Sequence, residues 1–178
     1  MRRWATAMSA LCVVLAVVLP AASAWRWLAM EPTAIAQSLG VRAVMVGDLE
    51  RALGLAICVA PPLANGLGLL YLRGAFRRFA AGEIFSVQAA QALRRFSAAV
   101  LAACALAILA FPALGLLTTH RLAGGPQVGF AIGGTTLTLL TMAGATWVFA
   151  HVLLQSTRSH LRAVDAGRRL AAENAQFV

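Results

Sequence analysis

The chain has no lysine and only 6 acidic residues, and charged side chains of every kind make up 12% of its 178 positions. A soluble domain carries about 25% charged residues, so this scarcity excludes an ordinary water-facing surface. Its 3 cysteines, Cys12, Cys58 and Cys104, each fall inside an apolar run. None belongs to a CxxC pair or stands beside a histidine at metal-ligand spacing. A zinc site and a quinone-linked disulfide oxidoreductase are therefore without motif support, and the thiols read as small packing residues. Nucleophile–base pairs, ligand clusters and phosphate-cradling glycine loops are missing too. On this basis no catalytic, cofactor-binding or metal-binding residue is assigned, and the chain reads as non-enzymatic.

What the sequence does have is apolar length. It is 61% hydrophobic, with mean hydropathy +0.80. Runs able to cross a bilayer, which takes about 20 residues, cover positions 4–24, 51–72, 96–117 and 128–154. They leave no room for a second globular domain. The expectation is one all-α membrane domain over 1–178, an integral membrane four-helix bundle with a cytoplasmic helical hairpin and a cytoplasmic C-terminal helix extension. The first run has a second reading as a signal peptide, with Arg2 and Arg3 as its basic end and Ala22-Ser23-Ala24 as an A-x-A cleavage site. A retained helix is preferred because Trp25-Arg26-Trp27 follows as an interfacial anchor.

Arginine placement sets the orientation. The stretch Arg73–Phe96 holds five arginines and one glutamate between two apolar runs. With Arg2, Arg3 and the four tail arginines, 11 lie on one side, against 4 (Arg26, Arg42, Arg51 and Arg121) on the other. The positive-inside rule places both termini and the central stretch in the cytoplasm. The net charge of +9 would suggest nucleic acid in a soluble protein. At the ends of spans it points instead to anionic lipid headgroups, with no direct nucleic-acid binding.

Local signals refine the outline. Gly82 is a helix stop and Ser86 an N-cap, which makes 73–95 an αα-hairpin. Phe76 with Phe79, and Leu93 with Phe96, share helix sides, and the phenylalanines are expected to dip into the membrane interface. The tail 155–178 continues the fourth helix, and its end is expected to fold back toward the hairpin. The candidate interaction surface is Arg77, Arg78, Glu83, Phe85, Arg94, Arg95, Glu173 and Asn174. Between the first two spans, Glu31-Pro32 and Ser38-Leu39-Gly40 read as turns and 41–46 as a strand or short helix. Too short for a core of its own, this segment should lie against the helix ends, and Asp48 should cap the second span.

Pro61 and Pro62 should kink that span near Val59, and with Asn65 they motivate an alternative role in transport. His120 reads as a solvated loop residue. The small face Gly129-xxx-Gly133, Gly144 and the threonines from Thr135 to Thr146 read as intramolecular packing, with a homo-oligomer as the other use.

Gly82-Glu83-Ile84-Phe85-Ser86, Leu93-Arg94-Arg95-Phe96 and Glu173-Asn174 together resemble a bacterial family of small four-span membrane proteins of unknown function. The resemblance covers most of the chain. It implies the inner membrane of a bacterium and, because such proteins are often encoded beside a small helix-turn-helix regulator, a cytoplasmic regulatory protein as partner. It implies no catalytic residue. The expected function is an interaction or regulatory role; the alternative is a small transporter or an accessory subunit of a transport complex.

Overall fold

The structure is a computed structural model that describes residues 2–41, 44, 46–82, 86–122, 125–126, 128 and 134–174. Five helices account for nearly all of them: α1 (Arg2–Ala29), α2 (Pro32–Leu39), α3 (Asp48–Ala80), α4 (Val87–Thr119) and α5 (Gly134–Asn174). All but α2 are long and apolar enough to cross a membrane, so the chain is an all-α, multi-pass four-helix bundle. The bundle is open. Among the described residues the backbones of α1 and α3, α3 and α4, and α4 and α5 lie close together, while the backbone of α1 approaches neither α4 nor α5.

The turns show how the sequence delimits these helices. Gly47, not Asp48, takes the N-cap position of α3. Glu50 reaches back to accept the Gly47 N–H at 3.1 Å, so the cap is supplied from three residues inside the helix. At the other end Gly82, with φ +87°, turns the chain. Ser86 then opens α4, its hydroxyl oxygen accepting the Ala89 N–H at 3.1 Å. The hairpin is thus made from the ends of the two spanning helices themselves. Glu31-Pro32 and Gly40, read as turns, instead bracket α2: proline suits a first helical turn, and Gly40 closes the helix at φ +67°. Of the stretch 41–46, Val41, Val44 and Val46 are described and are neither helix nor strand.

α3 stays helical through Pro61 and Pro62. Pro62 has no N–H to give the Cys58 carbonyl four residues back. Ser23 of α1 donates to that carbonyl instead, at 3.0 Å. Pro20 likewise withholds a donor from the Ala16 carbonyl, and this oxygen faces Gly66, where a Cβ would stand 3.0 Å away. Gly68, two residues on, faces α4: a Cβ there would meet Ala99 at 3.1 Å and Phe96 at 3.4 Å.

Trp27 does not act as the interfacial anchor expected of it. Trp25 is 75% exposed, but Trp27 is 5% exposed and still inside α1. Its indole N–H donates to the Arg51 carbonyl at 3.0 Å, and its ring fills the space over Gly54. With Ile35 and Leu39 of α2 and Leu114 of α4 it forms one core cluster, so the segment after α1 does pack on the helix ends. A second cluster joins Val100, Cys104 and Ala143, with Phe96 against it. Phe96 therefore packs inside the bundle and does not dip outward, while Phe76 and Phe79 meet edge to face at 6.2 Å.

α5 meets α4 through buried Ala143, Ala150 and Leu154. Of its small face, Gly144 makes no close approach to another helix. A Cβ on Gly144 would meet nothing within 4 Å, and Thr138, Thr141 and Thr146 donate to carbonyls four residues back on their own helix. Gly129 and Gly133 lie outside the described residues. The helix runs on to Asn174, which continues the fourth span as expected; residues 175–178 of the end expected to fold back lie outside the described residues.

Close approach at Gly54 is the tightest of these constraints, because a Cβ there would lie 2.1 Å from the Trp27 ring. Gly54→Ala should cost about 1–3 kcal/mol by overpacking, read as a lower unfolding midpoint in detergent. Gly74→Ala, at an open position, should be neutral or gain about 0.5–1 kcal/mol. In a Trp27→Ala background the Gly54 penalty should largely vanish; an unchanged penalty there would reject the contact.

Candidate functional site

Equal spacing on two antiparallel helices builds a cleft at the hairpin end. Tyr71, Gly74 and Arg78 follow one another at i, i+3 and i+7 along α3, and Gln88, Gln91 and Arg95 do the same along α4. These faces meet around a cleft of about 350 Å³. Buried Ala75, Ala89 and Ala90 let the helices come close at this end, and no side chain fills the space over Gly74. Arg78 Nη1 donates to Gln88 Oε1. The Arg95 guanidinium lies over the Tyr71 ring, 5.8 Å from its centroid, a cation–π contact that holds the side chain across the cleft. None of the described lining residues is acidic. Two guanidinium forks with neighbouring side-chain amides form a donor set suited to a phosphate or carboxylate.

Of the residues nominated from sequence, Arg78 and Arg95 come together here. Arg77 and Arg94 are exposed and do not line the cleft. Glu83 and Phe85 lie outside the described residues. Glu173 and Asn174 close α5, with side chains that are not described. Gln88, Gln91 and Tyr71 were not nominated. The helix-face spacing of Gln88 and Gln91 with Arg95 was the signal that could have found them.

The opposite end is ion-paired. Glu50 is 3% exposed, and its Oε1 lies 3.0 Å from Nη2 of Arg121. His120, expected to be simply solvated, follows the last turn of α4 and takes part in this contact. Its Nδ1 lies 2.7 Å from the Leu117 carbonyl, and its Nε2 lies 3.2 Å from Arg121 Nε and 4.0 Å from Glu50. Both short contacts are satisfied by the tautomer with its proton on Nδ1, which donates to Leu117 and leaves Nε2 to accept from Arg121. Nothing local in the sequence pairs Glu50 with Arg121, which follows two helices later.

Pro61, Pro62 and Asn65, the residues behind the transport reading, do share a cavity. It encloses about 140 Å³ between α3, α4 and α5, with Cys104 and Thr136 also on its wall. That is close to the volume of about 150 Å³ at which an apolar protein cavity takes up benzene. The 3 cysteines are free thiols, and no group of His, Cys, Asp and Glu suited to a metal occurs among the described residues.

The Glu50–Arg121 pair is lopsided, because Arg121 is 57% exposed and its partner is buried. Arg121→Gln strands a buried carboxylate, whereas Glu50→Gln leaves a solvated arginine and an amide oxygen still able to cap Gly47. Arg121→Gln should therefore lower the unfolding midpoint more than Glu50→Gln; the reverse order in thermal melts would show that the carboxylate does not depend on the arginine. Compared with known proteins, the chain matches no family model, no curated protein and no solved structure.

Proposed function

We propose that this is a non-enzymatic protein of the bacterial inner membrane, with both termini and the α3–α4 hairpin in the cytoplasm. Its role is to bind an anionic partner at the hairpin end. The cleft carries this reading, because it gathers the guanidinium groups of Arg78 and Arg95 beside the side-chain amides of Gln88 and Gln91. The arginine asymmetry of 11 against 4 supports the orientation. A 33-residue helix is about 50 Å long against a hydrocarbon core of about 30 Å, which leaves the hairpin ends of α3 and α4 standing in the headgroup layer and beyond. An acidic segment of a cytoplasmic regulatory protein has the required chemistry, as do anionic headgroups. The family resemblance favours the regulator.

A smaller observation supports the second reading, a small transporter or accessory transport subunit: Asn65 and the two prolines line one cavity in mid-bundle. If that cavity carries a ligand, Asn65→Leu should abolish its flux across the membrane at unchanged protein level. Unchanged flux would remove the transport reading.

The interaction reading is tested by photo-crosslinking in the native membrane from a benzophenone amino acid at position 91, inside the cleft. A protein adduct that weakens by at least about tenfold in an Arg78→Gln, Arg95→Gln double variant is the expected result. A lipid adduct with the same dependence would make the cleft a headgroup site, and an adduct indifferent to both arginines would reject it.

A further inference from the structure

The end of the bundle opposite the hairpin holds a second pocket that neither reading uses. It encloses about 310 Å³ between α1, α2, α3 and α4, at the lower end of the range for ligand pockets. Its walls are chiefly apolar, with Trp27, Leu39, Phe111 and Leu114 among them. Its one charged lining residue is Arg26, an exposed side chain with no carboxylate within 4.0 Å among the described residues. The hydroxyls of Ser23 and Ser38 are on the wall and already donate, to Cys58 and Ile35, so each offers an acceptor oxygen and Arg26 supplies the free donors. Arg26 lies in the last turn of α1, next to the exposed Trp25. That is the arrangement of a residue at headgroup depth, where tryptophan and arginine collect.

From this geometry we infer that the pocket is a binding site for an anionic phospholipid of the adjoining leaflet. The phosphate sits on Arg26 and one acyl chain enters between Trp27, Phe111 and Leu114. Charge complementarity selects the headgroup: a lone guanidinium at an apolar mouth has a donor fork and no competing carboxylate. The apolar wall selects a lipid over a small polar anion, which would leave that wall wet. General attraction of Arg26 to a negative surface would need no pocket, and this separates the two ideas experimentally. The site is independent of the cleft at the hairpin end and does not rest on that reading.

Trp27 provides the reporter, because it lines the pocket yet is nearly closed to bulk lipid. The full chain carrying Trp4→Phe, Trp25→Phe and Trp147→Phe is reconstituted in phosphatidylcholine vesicles. It is then titrated with chain-brominated phosphatidylglycerol or, separately, chain-brominated phosphatidylcholine. Saturable quenching of Trp27 with about a fivefold preference for the anionic lipid is expected, the equivalent of about 1 kcal/mol per arginine at a membrane surface. Arg26→Gln should abolish the preference. Ser38→Phe, which places a ring at the pocket wall and keeps Arg26, should reduce quenching by both lipids, and Arg78→Gln with Arg95→Gln should change nothing. Equal quenching by the two lipids, or a preference that survives Arg26→Gln, would overturn the site. Quenching of Trp27 by both lipids that persists undiminished in Ser38→Phe would assign the preference to surface attraction and overturn the pocket.

Discussion

Hydrocarbon offers no hydrogen bonds, so each carbonyl a proline uncouples within a span must be met by protein or packed away from lipid. The seam between α1 and α3 is organised around this demand. Pro62 and Pro20 uncouple the carbonyls of Cys58 and Ala16, and both oxygens face the partner helix rather than the membrane. One receives the Ser23 hydroxyl; the other lies against Gly66, the residue type that allows backbones to approach most closely. Trp27 then closes the seam by occupying the space over Gly54 and donating to Arg51. A small set of contacts thus fixes the register of α1 on α3. The Trp27 cluster, α2 and the pocket beside Arg26 are built on that register.

The two ends of the bundle solve the problem of charge differently. At the Glu50 end, a buried carboxylate is joined to Arg121 from the far end of α4 while it also caps α3. This ties the start of one central helix to the end of the other. At the hairpin end the arginines are oriented by neutral or π partners, Arg78 by Gln88 and Arg95 by Tyr71, and the cleft they share has no acid in its described lining. Pairing at one end consolidates the fold; at the other, the antiparallel helices gather two guanidinium groups and two side-chain amides at one cleft.

Features set by neighbours in sequence were the legible ones. The spans, the stop at Gly82, the cap at Ser86 and the shared side of Phe76 and Phe79 depend on residues within a turn or two. Where a distant residue decides, the reading failed. Trp27 looked like an interfacial anchor because nothing local reveals that Gly54 leaves room for it. Phe96 looked like an outward side chain until Gly68 and the Val100 cluster gave it a place inside. Asp48 missed the cap by one position, since Glu50 could serve Gly47 from within the helix. The candidate site was half legible: Arg78 and Arg95 stood out as charges, but only the antiparallel register of α3 and α4 brings them to one cleft with Gln88 and Gln91.

The distribution of polar groups explains why function is sought at the ends. Within the spans Ser97, Thr118, Thr119, Thr138, Thr141 and Thr146 all donate to carbonyls of their own helices, a use that satisfies the hydroxyl and leaves its donor committed. Ser23 is committed across the α1–α3 seam. The Asn65 amide, with Thr136, borders a cavity in mid-span that is otherwise largely apolar. A path for a hydrated solute would have to replace many water contacts, and one amide with Thr136 offers few. An anionic partner at the hairpin needs only donors at the edge of water, and Arg78 and Arg95 supply these without any cost of burying charge in the bilayer.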